Sequence, residues 1–184
     1  MQTIPVGNGL QTIVDDEDYE DLSQWKWYAI PHHSGGFYAF ANIREDGKPP
    51  RSPGTYGTYI PIKKVAMHRL IMGFPADQVD HINGNKLDNQ RHNLRTANGS
   101  QNCANNPGRK HRQRSRYKGV YRAYGSWYAQ ITVNRVTQSL GGFDTEEAAA
   151  QAYNEAAIEA WGPYARLNEL AMLEPLNARE EVLF

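Results

Sequence analysis

The last third of the chain carries the pattern that most constrains its fold, three strand-like segments followed by one alanine-rich helix. The segments are predicted at residues 117–122, 127–133 and 136–143. In the middle segment apolar and polar residues alternate, so every second side chain faces the same side of a sheet. One side carries Trp127, Ala129, Ile131 and Val133, and the other carries Tyr128, Gln130, Thr132 and Asn134. The pattern predicts a sheet with one core face and one free face.

A helix is predicted directly after the third segment, in the stretch DTEEAAAQAYNEAAIEAWG. Asp144 or Thr145 is placed to cap it, two glutamates follow in its first turn, and Gly162 ends it. A stripe of alanines allows this helix to lie close on the sheet: Ala148, Ala149, Ala152, Ala156 and Ala160. The predicted fold class is α+β.

Charge is distributed unevenly along the chain. The formal net charge is zero, with 20 Lys and Arg against 20 Asp and Glu, which by itself argues against a nucleic-acid partner. Residues 90–143, however, contain ten basic residues and no acidic one, whereas the acids gather at residues 15–21 and 144–181. We therefore expect an electrostatic dipole with one face suited to phosphates.

Length and composition limit the remaining possibilities. A chain of 184 residues holds about one or two small domains, so a large multi-domain enzyme is excluded. Cys103 is the only cysteine, which excludes a disulfide or a cysteine-based zinc site within one chain. The sequence has no apolar run approaching membrane-helix length and no signal-peptide core at its start. We expect a soluble, cytoplasmic protein with no membrane partner, in the host cell cytoplasm if a phage encodes it.

The first 60 residues are rich in aromatic residues, glycines and turn signals, and they predict a β-rich module. Residues 34–36, Ser-Gly-Gly, separate two strand-like runs and predict a hairpin. The aromatic residues Trp25, Trp27 and Tyr28 are expected in the core.

Two short helices are predicted in the first half of the chain. One spans residues 19–27. The other spans residues 61–73, with Pro61 near its start and Gly73 as its stop, and leads into the most polar part of the chain.

Polar residues are most concentrated in the stretches VDHINGNKLDN, HNLR and QNCANN, between residues 79 and 106. Hydrolysis of a phosphodiester needs a base for the attacking water and positive charge on the phosphoryl and leaving oxygens, and a neutral histidine beside a hard cation supplies both. Mg²⁺ prefers oxygen ligands and keeps several waters, so one carboxylate and one amide oxygen suffice. Asp80 and Asn102 can be those ligands.

This stretch predicts a strand, a loop, a returning strand and a helix. Asp80 and His81 are adjacent and point to opposite faces of a regular strand, so a bend at the strand end is needed to bring them together. Asn93 is expected to brace either His81 or the loop through its amide. Three asparagines spaced by four are expected along one helix face: Asn98, Asn102 and Asn106.

Turn chemistry is the simpler explanation for any single residue here, since Asn, Asp and Gly favour turns. It does not explain the whole spaced set. His92 is predicted to be a surface residue. The sequence leaves two positions open for His68, one near the scissile phosphate and one in the environment of the predicted helix.

These residues resemble the HNH (His-Me finger) nucleases, especially the phage and intron-encoded homing endonucleases. The match consists of HRLIMGFP, VDHINGNKLDN, NLR and QNCANN, within residues 61–107. The resemblance implies a ββα-metal fold with His81 as general base, Asn93 as the middle HNH residue, and Asp80 and Asn102 as ligands of one Mg²⁺. Many HNH enzymes carry a third histidine where this chain has Asn102, as in the homing branch.

Residues 115–168 resemble the DNA-binding domain of plant ethylene-response (Apetala-type) factors, on the pieces YKGV, WYAQI, LGGF and TEEAAAQAYNEAA. The resemblance implies a three-stranded antiparallel sheet on one helix, with the free face of the sheet in the major groove of double-stranded DNA. The residues placed toward DNA are Lys118, Tyr121, Gln130, Thr132, Thr137 and Ser139. Several arginines and tryptophans of the plant pattern are missing here. Arg122 and Arg135 are expected to contact phosphates.

A basic linker at residues 108–116 is predicted to join the nuclease module at 61–107 to the DNA-binding domain at 117–170, and residues 171–184 form a tail. The linker contributes five further candidates for phosphate contact: Arg109, Lys110, Arg112, Arg114 and Arg116.

The sequence thus predicts a metal-dependent, homing-type DNA endonuclease. One visible centre and no clear dimerisation helix predict a monomer that nicks one strand. The alternative is a non-catalytic DNA-binding regulator built on the same modules, which has no need of a base and two oxygen ligands. A third possibility, an RNA-binding protein, predicts exposed stacking aromatic residues on the sheet, where Tyr121 and Tyr128 leave it open.

Overall fold

A computed structural model of the chain describes residues 1–33, 35–44, 62–107 and 115–170. They form a mixed α+β structure of small sheets and short helices, as the sequence predicts at this level. The chain divides into two compact units, Met1–Asn102 and Cys103–Phe184. The boundary predicted near residue 60 falls inside the first unit, and the boundary predicted after residue 107 lies close to the observed division.

The first unit begins with a β-hairpin and a helix, followed by a three-stranded antiparallel sheet in the order β3-β4-β5 and a second short helix. The elements are β1 (Gln2–Gly7), β2 (Leu10–Val14), α1 (Asp16–Ser23), β3 (Trp27–Pro31), β4 (Phe37–Arg44), β5 (Ile62–Ala66) and α2 (Met67–Ile71). Val6, Val14 and Met67 are fully buried in the core that these elements share.

The predicted hairpin is present between β3 and β4. The His32 amide donates to the Gly36 carbonyl at 3.0 Å, which closes the turn. Gly35 and Gly36 have φ angles of +92° and +75°, a region that favours glycine. Ser34 lies outside the described residues.

Both short helices differ from their predictions. The first spans Asp16–Ser23 rather than residues 19–27, because Asp15 precedes it in an extended conformation and Trp27 joins β3. The first half of the second is a strand, since Ile62–Ala66 pairs with β4 from Arg44 to Phe40. Helical structure is limited to Met67–Ile71.

The aromatic residues around β3 divide between two faces. Trp27 is buried in the core, where its indole donates to the Leu22 carbonyl at 2.8 Å. Trp25 is half-buried and packs against the same core. Tyr28 instead points to the opposite face of β3, because side chains alternate along a strand. The prediction that Tyr28 belongs to the core is wrong.

The polar stretch folds in the predicted order of strand, loop, strand and helix. β6 (Gln78–His81) pairs antiparallel with β7 (Leu94–Ala97), the connecting loop ends in a 3-10 turn at Arg91–Asn93, and α3 spans Gly99–Asn105. Val79 and Leu94 join the core of the first unit.

The second unit is a three-stranded antiparallel sheet backed by one helix, in the order β10-β9-β8. Its elements are β8 (Val120–Ala123), β9 (Ser126–Val133), β10 (Val136–Phe143) and α4 (Glu146–Trp161). The first strand begins later than predicted because Gly119 forms a turn with a φ of +78°. A Cβ at Gly119 would lie 2.0 Å from the Tyr153 ring, so the close approach of α4 also requires glycine.

The predicted alternation in β9 is confirmed, because Ala129 and Ile131 are buried against α4 and Thr132 is exposed. Thr145 caps the helix by accepting from the Ala148 amide at 3.1 Å. Within the described residues, no helix has the length and apolar character needed to cross a membrane.

Candidate active site

His81 ends β6 and is almost completely buried. Its Nε2 lies 3.2 Å from Oδ1 of Asn89, a buried residue of the loop between β6 and β7. Asn89 donates in turn through Nδ2 to the hydroxyl of Thr12 on β2, at 2.7 Å. The Thr12 hydroxyl donates to the Leu87 carbonyl at 2.8 Å. Neither Asn89 nor Thr12 stands out by spacing, because the contact joins positions 77 residues apart.

This chain of hydrogen bonds fixes the tautomer of His81. A carbonyl oxygen only accepts, so the single hydroxyl proton of Thr12 goes to Leu87 and its oxygen accepts from Asn89. The amide nitrogen of Asn89 therefore faces Thr12 and its oxygen faces His81. An amide oxygen only accepts, so Nε2 of His81 carries the proton and Nδ1 carries the lone pair.

Backbone pairing with β2 holds this arrangement in place. The Ile13 amide donates to the Leu87 carbonyl, and the Asn89 amide donates to the Ile13 carbonyl, both at 2.8 Å. The N-terminal hairpin is therefore part of the support of His81.

A second histidine and a tyrosine lie beside His81. The ring centroids of His68 and Tyr38 are 5.2 and 5.8 Å from that of His81, and they are 5.1 Å from each other. Burial lowers the pKa of His81 below its ordinary value, against the opposing effects of the hydrogen bond with Asn89 and the charge of Asp80. Burial, followed by the proximity of His81 and Arg69, lowers the pKa of His68 to about 3. Both histidines are therefore neutral at pH 7, as a general base must be.

Asp80 is buried and forms an ion pair with Arg95, its partner across β6 and β7. Oδ2 of Asp80 accepts from Nε of Arg95 at 3.0 Å and from Nη2 at 2.8 Å. The register from Gln78 to His81 is continuous, so the predicted bend does not occur within the strand. Asp80 and His81 keep opposite faces because β7 pairs with every residue of β6.

Asn102 reaches the same face of β6 as Asp80. Its Nδ2 donates to Oε1 of Gln78, which shares a strand face with Asp80 because the two residues are two positions apart. Of the three asparagines expected along the helix, only Asn102 lies within α3. Asn98 caps it in a reciprocal pair with Gln101, at 2.9 and 3.0 Å, and Asn106 follows its last residue.

Asn93 contacts the loop through its amide. Its Oδ1 accepts from the Asn83 amide at 2.9 Å, and its Nδ2 donates to the Asp88 carbonyl at 2.8 Å. The side chain of Asn83 donates to Oδ2 of Asp88 at 2.7 Å. Asn93 thus ties the two ends of the loop together, and Asn89 makes the contact with His81.

The donors around Asp80 fit a hard divalent cation in their chemistry. One carboxylate and the amide oxygens of Gln78 and Asn102 are the ligand types that Mg²⁺ accepts, with water completing its shell. In the described part of the chain, no group of three or more His, Cys, Asp or Glu side chains is arranged to hold a metal ion. A cation at Asp80 would have to share the carboxylate with Arg95 or displace it.

The free face of the second unit's sheet carries five of the six residues that the plant-domain resemblance places toward DNA. They stand in cross-strand pairs, Tyr121 with Tyr128, Gln130 with Ser139, and Thr132 with Thr137. The two tyrosine rings stack on each other, with centroids 5.7 Å apart and planes 20° apart. The threonine hydroxyls are 2.9 Å apart. The paired rings cover each other, which leaves less aromatic surface for stacked bases.

Lys118, the sixth of these residues, points elsewhere. Its ammonium donates to the Ala104 carbonyl, and burial lowers its pKa to about 8. Its backbone is held on both sides by the Asn168 side chain, at 2.6 and 3.1 Å.

The predicted basic face is partly neutralised by ion pairs. Arg91 contacts Asp18 at 2.6 Å, and Arg116 contacts Glu147 at 2.8 Å. Arg122 is exposed with its guanidinium 5.6 Å from the Trp127 ring centre, at one end of the sheet. Arg135 is exposed at the turn between β9 and β10. Four linker residues, Arg109, Lys110, Arg112 and Arg114, lie outside the described residues.

Comparison with known proteins gives one informative relative. The chain is 29% identical over 172 residues to a protein of Acanthamoeba polyphaga mimivirus described as an uncharacterized HNH endonuclease. This similarity supports a relationship between this chain and the HNH nucleases. The alignment covers 89% of this chain and 78% of the HNH relative, so it includes both compact units. No known family profile matches the chain.

Proposed function

We propose that the protein is a DNA endonuclease of the HNH type, in which His81 is the general base of phosphodiester hydrolysis. The observation that carries the proposal is the hydrogen-bond chain from the Leu87 carbonyl through Thr12 and Asn89 to Nε2 of His81. It leaves the lone pair on Nδ1 of a neutral imidazole, the form that accepts a proton from water.

The environment of His81 suits this role. Burial keeps the imidazole neutral, so it is ready to accept a proton at pH 7. When a water is deprotonated, the imidazolium that forms is stabilised by the nearby carboxylate of Asp80 and by its hydrogen bond to Asn89. The loop that carries Asn89 is fixed by Asn93, which makes Asn93 a positioning residue.

We further propose that Asp80 and Asn102 hold one Mg²⁺, with Gln78 near enough to assist. A bound Mg²⁺ supplies positive charge to the phosphoryl and leaving oxygens. Asp80 is the anionic residue of the set, and Asn102, which bonds Gln78 on the same face of β6, would contribute a neutral amide oxygen. Arg95 neutralises the buried carboxylate, and a cation held there would share the carboxylate with the guanidinium or replace it.

The second unit is proposed to bind the duplex through the free face of its sheet. Its paired polar side chains include Gln130 and Thr132, which can hydrogen-bond base edges, and Arg135 stands at the turn for phosphate contact. The homing-type behaviour and the cutting of one strand are part of the same proposal.

The test is incubation of the purified full chain with its source DNA and with supercoiled plasmid carrying the mapped site, in Mg²⁺ or in EDTA. We expect cuts at defined positions in Mg²⁺ only, with open circles appearing before linear product. Linear product at the earliest times, with a rate that rises as the square of protein concentration, would show that two chains act together. Binding without any cutting would contradict the nuclease assignment.

That last outcome is the one expected for the second candidate function, a non-catalytic DNA-binding regulator. The ion pair between Asp80 and Arg95 is the observation that favours it, because a carboxylate neutralised by a guanidinium needs no cation. Mg²⁺ titration distinguishes the two, since only the nuclease requires a cation at Asp80.

A further inference from the structure

The three-stranded sheet of the first unit has an outer face that the nuclease chemistry does not use. On β4, Ala39, Ala41 and Ile43 point into the core, so the residues between them form the opposite face. The register places residues of β3 and β5 beside them. We define the outer face by Tyr28, Tyr38, Phe40, Asn42 and Lys64, together with Lys86 from the loop after β6.

Lysines lie over the aromatic rings of the outer face. Nζ of Lys64 is 4.6 Å from the ring centre of Phe40, and Nζ of Lys86 is 5.8 Å from that of Tyr38. The hydroxyl of Tyr28 donates to Oδ1 of Asn42 at 3.0 Å. The face therefore offers ammonium groups held above an apolar base, with polar groups at its exposed end.

The outer face is continuous with the candidate active site. The Tyr38 ring contacts His68 and His81 at one end, and Phe40 lies 6.4 Å further along β4. From Tyr38 to Asn42 a strand extends about 13 Å, which corresponds to roughly four base-pair steps along a duplex. A surface of this length reaches beyond the scissile phosphate into the flanking DNA.

The charge of the outer face is complementary to phosphate. The strands β3, β4 and β5 contain no Asp or Glu. Asp80 is near enough to Tyr38 to add to the effect of burial in raising the pKa of the phenol, but it is paired with Arg95. Lys64, which is exposed, and Lys86, which is half-buried, thus place positive charge over the two aromatic rings of the face.

We propose that double-stranded DNA flanking the scissile phosphate lies along this outer face, with its phosphates held by Lys64 and Lys86. The inference rests on the proposed function and adds a second DNA-contacting surface in the first unit. A duplex fits better than a single strand, because Phe40 and Tyr38 are half-buried beneath lysines and do not offer open ring faces to unstacked bases.

The test compares two adjacent lysines of β5 that point to opposite faces. Lys64→Gln removes a charge from the outer face, whereas Lys63→Gln removes one from the other face, where its strand partner is Ile43. Affinity of the full chain for a pool of random-sequence duplexes is measured by fluorescence anisotropy in EDTA, across a range of salt concentrations. We expect Lys64→Gln to lower the slope of log affinity against log salt by about 0.9, and Lys63→Gln to leave it unchanged.

A gain-of-charge variant excludes misfolding as the cause. Asn42→Lys adds a cation to the same face and should raise the slope by about 0.9. Equal slopes for all three variants in a protein that still cuts its source DNA would overturn the inference and leave the proposed function intact. The same titration with single-stranded DNA is a further check. If Lys64→Gln lowers the salt slope for single strands and leaves it unchanged for duplexes, the inference is also overturned. Failure of the wild type to bind any duplex would remove both.

Discussion

Asn89 donates through its side chain to the Thr12 hydroxyl at 2.7 Å, and this contact between the loop and the N-terminal hairpin orients the amide that faces His81. Without the hydroxyl, either end of the amide can face the imidazole, and the proton position on the ring is no longer fixed.

Thr12→Val should therefore lower kcat by roughly ten-fold to a hundred-fold, with KM for DNA little changed, as is typical when the partner of an active-site group is lost. It also leaves the side-chain amide of Asn89 without its Thr12 acceptor, at about 1–3 kcal/mol, whereas the Leu87 carbonyl still accepts from the Ile13 amide. Thr12→Ser keeps the hydroxyl and should retain most of the activity. Plasmid cleavage kinetics and nitrogen NMR of the His81 ring check both, and a KM effect without a kcat effect would contradict the prediction.

His81→Ala should abolish cleavage and leave DNA affinity nearly intact, because a base acts in the transition state and not in docking. His92→Ala is the matched control, since His92 is exposed on the loop and is predicted to have no catalytic role. Cleavage assays and anisotropy on the same preparations measure the two properties. Equal loss of binding and cleavage would mean that His81 is structural.

Asp80→Ala should be inactive, and high Mg²⁺ should rescue it poorly, because a methyl group cannot replace an anionic ligand. The change also removes the carboxylate partner of Arg95, a half-buried guanidinium, and is expected to lower stability. A second variant, Asp80→Asn, keeps the shape and limits that loss, so thermal unfolding separates instability from inactivity. Near wild-type rescue of Asp80→Asn by Mg²⁺ would show that the carboxylate is not the main ligand.

Cleavage should persist below pH 6.5, because burial lowers the pKa of His81 and the base stays neutral at pH values where a free histidine is protonated. Plasmid cleavage rates measured across this pH range check it.

The free energy of unfolding should decrease as the pH falls below 6.5. The pKa of His68 is about 3 in the folded chain and about 6.5 when unfolded, so the unfolded state binds more protons as the pH drops from 6.5 towards 3. Denaturant unfolding of the wild type and His68→Gln checks this, and an unchanged pH dependence in the variant would contradict it.

DNA affinity should fall steeply with salt, and Arg135 and Lys118 should contribute differently to that dependence. Arg135 is exposed at a turn of the second unit, so Arg135→Gln should reduce the salt slope by about 0.9. Lys118→Gln should leave the slope unchanged and lower the melting temperature, because the ammonium donates to the Ala104 carbonyl. A reduced slope for Lys118→Gln would return Lys118 to the DNA-contacting set.

The order and type of the elements of the second unit could be predicted from sequence, with bounds within a few residues of those observed. Alternation in β9 identified its core face, and the alanines with a cap at Asp144 or Thr145 identified α4, because both patterns depend on contacts between residues close in sequence. The same applies to the loop after β6, where asparagine side chains bond the backbone two residues away.

Predictions failed where pairing between distant segments decided the outcome. Residues 62–66 have the composition of a helix start but form β5, because β4 offers them a ladder of hydrogen bonds. The DNA contact predicted for Lys118 stays a prediction, but its ammonium meets a partner that the sequence did not suggest, the Ala104 carbonyl. Neither competing partner is visible in the local sequence.

The candidate site shows the same division. The sequence by itself determined which residues are candidates for the chemistry, since a histidine, a carboxylate and amides at these spacings have few other uses together. Only the tertiary structure decided which partners hold them: Asn89 and not Asn93 contacts His81, Thr12 orients Asn89, and Arg95 holds Asp80. The physical reason is that a hydrogen-bond partner is chosen by distance and direction in space, and β-sheet pairing brings together residues that the chain order separates.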